Sequence, residues 1–257
     1  MTETRTHEAL VGSQFGARAG DYLTSQVHVA GADLAALVAL AKDHPEARVL
    51  DLGCGGGHVT YSVAPHVKEL VAYDLSPEML GVVAAAAKER GLGNVTTRQG
   101  AAERLPFDDA AFDIVLSRYS AHHWRGFTDA LREAARVLKP GGIAGFVDPV
   151  SPGPALLDTF FQTIEMLRDP SHVRDYTRAE WEAALAQAGL TVETATRFRV
   201  RLDFAAWVER MATPAVQVEA IRALQNAVSS DVTAYFDTAP DGSFSIDVAL
   251  FAARKGG

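Results

Sequence analysis

The sequence predicts an α/β fold: a doubly wound, mostly parallel seven-stranded sheet with helices on both faces and a helical cap. Three observations carry that expectation. From Arg48 onward, short runs rich in β-branched residues alternate with longer helical patterns, the rhythm of βαβ units. A glycine-rich turn from Asp51 to Gly57 joins the first such run to a helix. The 257 residues, 48% hydrophobic and 22% charged, suffice for one sizeable core.

In chain order, Gln14 to His28 is irregular and reads as a lid or arm, and Ala32 to Ala41 as an amphipathic helix starting at Gly31. Arg48–Leu52 is the first strand, followed by a helix over Val59–Ala64 and a strand over Glu69–Asp74. Ser76 caps a helix running from Pro77 to Arg90, with Glu78 in its first turn and Gly91 as its stop. Asn94–Gln99 and Phe112–Ser117 are strands. Leu131, Ala135 and Leu138 recur at helical spacing before Gly141 and Gly142 lead into a strand over Ile143–Asp148. Beyond Pro149 come helices over Ala155–Arg168 and Arg178–Gln187, a strand over Leu190–Val200, helices over Phe204–Met211 and Val216–Val228, and a last strand over Phe244–Ala252. The expected organisation is one domain: 1–46 as N-terminal lid and helices, 47–148 as cofactor-binding core, 149–189 as helical cap, and 190–257 as C-terminal strands and helices.

Composition removes several classes of function. A net charge of −8 leaves no cationic surplus to displace counterions from a nucleic acid or to hold an anionic membrane. The first thirty residues lack a sustained apolar run, so a cytoplasmic protein is expected. Cys54 is the only cysteine, which excludes an intrachain disulfide and a multi-cysteine metal site. It reads as a small residue within the turn. No H-E-x-x-H pair is present, so no metal is expected.

A glycine-rich turn between a buried strand and a helix start lets a ligand approach the backbone. The ligand lacks the usual phosphate readers: a dinucleotide fingerprint would align on Gly53, Gly55 and His58, and no Lys-Ser or Lys-Thr pair follows. The turn is flanked by acid instead. Asp74 ends the second strand, where a carboxylate can accept from both ribose hydroxyls, and Asp51 suits an ammonium group. Adenosine with an amino-acid end, a sulfonium and no phosphate, as in S-adenosyl-L-methionine, meets those demands.

With VLDLGCGGG, YDLSPEML, GAAERLPFDDAAFDIVLSR and REAARVLKPGG in that order, the chain resembles the class I methyltransferases, a Rossmann-like family, and within them the ubiquinone/menaquinone-biosynthesis group. The resemblance covers roughly Phe15 to Asp148 and implies an S-adenosyl-L-methionine-dependent methyltransferase acting on an oxygen, carbon or nitrogen of a small molecule. It implies that Gly53, Gly55 and Gly57 pass the methionine end with Asp51 in support, that Asp74 holds the ribose, that Leu75 and Met79 pack near the adenine, and that Ala101, Ala102 and Glu103 line its edge. Many relatives carry an acid at Ala101 or Ala102, and this chain does not. Met79 also suits a core position, and Glu103 a solvated loop.

The segment SRYSAHHW, opening on Ser117, resembles the family's signature after the fourth strand and adds Ser117 to the cofactor-binding candidates. Methyl transfer from a sulfonium needs alignment of the nucleophile and, for a hydroxyl or weakly acidic carbon, a proton acceptor. His122 and His123 are the candidates in that loop, with His172 and His28 in flanking segments and Tyr22 as a cofactor contact. Two other readings stay open. An NAD(P)-dependent oxidoreductase is disfavoured by His58 and by the absence of a Y-x-x-x-K pair, and a methyltransferase-like protein would bind the cofactor without transferring a methyl group.

Overall fold

Alternate residues of the central strands are apolar on both sides, which is what a parallel sheet covered on both faces requires. The computed structural model describes residues 6–16 and 31–256. Its strands are β1 (Arg48–Leu52), β2 (Glu69–Asp74), β3 (Val95–Gln99), β4 (Phe112–Arg118), β5 (Leu138–Pro149), β6 (Leu190–Leu202) and β7 (Phe244–Lys255). They form one sheet in the order β3-β2-β1-β4-β5-β7-β6, parallel from β3 to β5, with β7 antiparallel to both neighbours. The described helices are α1 (His7–Gly16), α2 (Ala32–Ala41), α3 (His58–Val63), α4 (Pro77–Glu89), α5 (Phe127–Val137), α6 (Ala155–Arg168), α7 (Arg178–Gln187), α8 (Phe204–Arg210), α9 (Ala215–Ala227) and α10 (Ser230–Phe236). None of them is long and apolar enough to cross a membrane.

The alternation sorts the core into two layers. Val49, Ala72, Leu116 and Val147 pack with Leu37 of α2, Val63 of α3, Val83 of α4 and Phe161 of α6. Leu50, Val71, Val115 and Phe146 point the other way, onto Leu131 of α5 and Trp181 of α7. The two expected cap helices therefore part company: α6 joins the first layer, beside the later helices, and α7 the second.

Local signals account for the starts of α4 and α7. Ser76 Oγ accepts from the Met79 N–H at 3.2 Å, and Pro77 opens α4. Thr177 and Glu180 cap each other's backbone at the start of α7, at 3.2 and 2.7 Å.

Four elements differ from expectation. α10 was not anticipated, because SDVTAYF is rich in poor helix formers. Burial of Val232 and Phe236 supplies about 1.5–3 kcal/mol each, which outweighs propensity costs of about 0.5 kcal/mol per residue. β5 begins at Leu138 rather than Ile143, because Leu138 pairs with Phe112 before the register shifts between Phe112 and Ile114. β6 and β7 outrun their expected ends because they pair from Leu190 with Lys255 to Leu202 with Phe244. Of the irregular N-terminal stretch, Gln14 to Gly16 finish α1, and the remainder lies outside the described residues.

Trp181 is fully buried, stacked on Phe251 with ring centroids 5.1 Å apart and edge-on to Phe127 at 4.7 Å, and its Nε1 has no partner. Trp181→Ala is expected to cost about 3–5 kcal/mol in urea unfolding. Trp181→Phe, which keeps most of the packing and removes the unpaired donor, should cost less than about 1.5 kcal/mol. Equal losses in the two variants would show that the ring packing is not what holds α7 to the sheet.

Candidate functional site

The order of the sheet places β1 beside β4, so the connections leaving their carboxyl ends diverge and open a crevice there. The crevice is floored by the turn after β1. Gly53 and Cys54 both donate backbone N–H bonds to the Tyr73 carbonyl, at 2.8 and 3.0 Å, and Gly55 N–H donates to Asp74 Oδ2 at 2.8 Å. The second Asp74 oxygen accepts from Ser76 N–H at 2.9 Å. Gly53 has φ of 71°, and a Cβ there would stand 1.9 Å from Ser120 Oγ in the turn after β4. Glycine is required by two facing turns that nearly touch.

Asp51 sits one strand residue before the turn, 1% exposed, and its Oδ2 accepts from Thr60 Oγ of α3 at 2.6 Å. Its Oδ1 has no partner. Burial, only partly offset by the Thr60 hydrogen bonds, pushes the carboxyl up to about 7. Burial also raises Asp74, against the Ser76 and Gly55 backbone donors.

The turn after β4 forms the second wall. His122 donates from Nδ1 to Asp148 Oδ1 at 2.9 Å. Burial pulls its imidazolium down, but the charge and hydrogen bond of Asp148 outweigh burial and carry it up to about 9. His123 donates from Nδ1 to the Ser171 carbonyl at 3.1 Å, and burial, then the His122 charge, hold it well below the usual histidine range. On the outer side α1 closes the crevice: His7 Nε2 donates to the His123 carbonyl at 3.0 Å, and Gln14 Nε2 to the Met211 carbonyl at 3.3 Å.

Of the residues expected from sequence, Asp51, Gly53, Gly55, Asp74, Leu75, Met79, Ala101, Ala102, Glu103, His122 and His123 line this cleft. Glu103 is engaged there, since its Oε1 accepts from Gly126 N–H at 2.9 Å and steadies the start of α5. Gly57, Ser117 and His172 do not line it. Gly57, with φ of 83°, is the N-cap of α3, where a Cβ would strike the Tyr61 ring. Ser117 is 2% exposed within β4. His172 is 4% exposed, bonded through Nε2 to Gln162 Oε1 at 3.1 Å, and driven by burial and the His122 charge down to about 3. Tyr22 and His28 lie outside the described residues.

Several lining residues escaped the sequence reading: Glu165 and Arg168 of α6, Asp175 from the segment carrying His172, Trp207 and Met211 near α8, and His7 and Glu8 of α1. Behind His122 stands Asp148, an aspartate closing a strand as Asp74 does, and the same rule finds it. Arg118 and Asp33 also form a buried pair at 2.6 Å that ties α2 to the end of β4.

Comparisons with known proteins bear on the family and the fold. Residues 50–146 match the methyltransferase domain family. The uncharacterized YafE of Escherichia coli (strain K12) is 49% identical over 203 residues, covering 79% of this chain and 98% of that protein. YcgJ of Bacillus subtilis (strain 168), an uncharacterized methyltransferase, is 38% identical over 201 residues, covering 78% of this chain and 79% of YcgJ. The YcgJ crystal structure superposes with a TM-score of 0.84 over 88% of this chain and 98% of that one, at 35% identity. The demethylmenaquinone methyltransferase of Chlorobaculum tepidum is 33% identical over 118 residues, 45% of this chain and 46% of that enzyme.

Asp51 gives the site a pH signature in stability. Below pH 3.8 the folded and unfolded chains both hold its proton, and between 3.8 and about 7 only the folded chain does. Stability therefore falls as pH rises through that window. Wild type is expected to lose about 4 kcal/mol more than Asp51→Asn between its two ends, as read by urea unfolding at pH values on either side. Parallel curves for the two proteins would mean that Asp51 ionises normally in the fold.

Proposed function

The chain belongs to the class I methyltransferase family, and from that premise we propose that it transfers a methyl group from S-adenosyl-L-methionine to an oxygen, carbon or nitrogen of a small cytoplasmic acceptor. The observation that carries this reading is the buried Asp51 Oδ1 with no partner, beside a glycine turn whose backbone is open to a ligand. A buried acceptor left unsatisfied costs about 1–3 kcal/mol, and the ammonium of the methionine end satisfies it.

The remaining residues fit the same molecule. Each Asp74 oxygen makes one backbone bond and keeps a lone pair for a ribose hydroxyl. Leu75, Met79, Ala101 and Ala102 give the adenine an apolar slot. When bound, the cofactor supplies an activated methyl group on a sulfonium. The chain's own work is alignment and exclusion of water: α1 covers the crevice from outside, and Trp207 and Met211 close its far end. His122 and His123 face the space left for the acceptor and are its candidate catalytic contacts.

Acceptor identity does not transfer from the relatives. YafE and YcgJ, which match most of the chain, are uncharacterized, and the demethylmenaquinone methyltransferase matches 45% of it.

Asp74→Ala removes both oxygens that hold Gly55 and Ser76, so binding of S-adenosylhomocysteine is expected to weaken by about 10- to 100-fold in calorimetry, the equivalent of one charged hydrogen bond or more. Stabilisation of the wild type by NADH and not by S-adenosylhomocysteine in a thermal shift would reject methyl transfer. Cofactor binding with no methyl label reaching any acceptor in a cell extract would favour a protein that binds without transferring.

A further inference from the structure

The acceptor wall carries a histidine–carboxylate pair that the cofactor-binding residues do not use. Asp148 comes from the end of β5 and is 1% exposed, and His122 comes from the short turn after β4. A carboxylate only accepts, so the 2.9 Å bond fixes Nδ1 of His122 as the donor. The backbone locks this arrangement, because the His122 carbonyl accepts from the N–H groups of Val173 and Arg174, at 2.8 and 3.2 Å. The rings of His123 and His172 lie against it, with centroids 4.1 and 5.9 Å away. With Nδ1 engaged, Nε2 is the nitrogen left to address the cleft that His122 lines.

We propose that His122 is a cationic acceptor-binding residue positioned by Asp148, and that the acceptor is an acid bound as its conjugate base, with the anionic oxygen accepting from Nε2–H. The inference rests on the methyl-transfer reading and specifies its substrate class: a phenol, enol or carboxylic acid.

The charged groups around the ring support it from every side. On β5, Asp148 provides the counter-charge that, against burial, carries His122 up to about 9. On α6, Glu165 is engaged by Arg168 at 3.3 Å, and Arg168 also donates to the Trp207 carbonyl. Asp175, from the segment before α7, is pushed well above the carboxylate range by burial and then by Glu165, so it holds its proton and does not repel an anion. Burial and the His122 charge keep His123 and His172 neutral. Of the three adjoining imidazoles, His122 is the one whose surroundings favour the cation.

The step needs no base. An electron pair of the anion forms the new bond to the methyl carbon while the carbon–sulfur bond breaks and its pair passes to sulfur. The acceptor loses its negative charge, the sulfonium its positive one, and His122 keeps its proton.

The test uses the full chain saturated with S-adenosylhomocysteine and 4-nitrophenol as probe, since its anion is coloured. Bound probe is expected to ionise at least about one pH unit below free probe, a tenfold preference for the anion. His122→Asn keeps a donor toward Asp148 without the charge and should abolish the shift while S-adenosylhomocysteine affinity is unchanged. Nitrogen NMR should show a His122 imidazolium through neutral pH in wild type and a neutral ring in Asp148→Asn. Absence of the probe shift in the cofactor-loaded wild type, or a wild-type His122 that titrates at or below about 6.5, overturns the proposal even where a variant fails to fold. Failure of S-adenosylhomocysteine to bind at all would overturn the methyl-transfer reading instead.

Discussion

The crevice depends on how closely two turns approach each other. Gly53 and Ser120 leave adjacent strands, and the space between them does not admit one more carbon atom. Ser120 cannot simply swing aside, because its Oγ accepts from the Trp124 indole at 3.1 Å, and Trp124 is itself buried. The turn after β1 cannot retreat either, since two of its N–H groups are bonded to the end of β2 and a third to Asp74. A backbone surface pinned from both sides is available to a ligand without rearrangement, and that pre-organisation lowers the cost of binding.

The same pinning brings acid into the site. Asp51 and Asp74 stand near the ends of neighbouring strands, Asp51 buried and Asp74 half-buried at the crevice. Their carboxyls are held by unlike means: Asp74 by two backbone donors, Asp51 by Thr60 on one oxygen only. The unfilled valence of Asp51 is a local instability that a cationic group relieves. Strain of this kind at a ligand site is removed by the ligand rather than by the fold.

The core from Ala32 to Asp148 was legible because its signals are local. A Ser76 cap, a Pro77 at the first helical position and period-two runs are each read within a few residues. α10 was not legible, because its helix is made by Phe160 and Phe161, with centroids 5.3 and 5.7 Å from Phe236 and some seventy positions away in sequence. That Gly53, Gly55 and Asp74 meet at the crevice was likewise readable, since they sit at a strand–turn boundary that a short motif encodes. Gly57 belongs to that motif but turns the chain into α3, and a spacing rule cannot separate the two duties. His172 looked equivalent to His122 in sequence. Only the fold shows that one ring reaches the cleft with an aspartate behind it while the other is buried against Gln162.

That contrast divides the crevice into halves built on different principles. One half is built from the backbone of the turn after β1 and from two carboxylates near the ends of neighbouring strands, Asp51 and Asp74, so its form follows from a short local pattern. The other half is assembled from side chains far apart in sequence: His7 on α1, His122 after β4, Glu165 and Arg168 on α6, Asp175 before α7, and Trp207 on α8. Two of them are oriented by a partner from another element, His122 by Asp148 and Arg168 by the Trp207 carbonyl. A single exchange in such a network changes the charge facing the cleft without touching the turn after β1. The charge that this half presents to the cleft is therefore set by how its buried groups are paired, independently of the turn after β1.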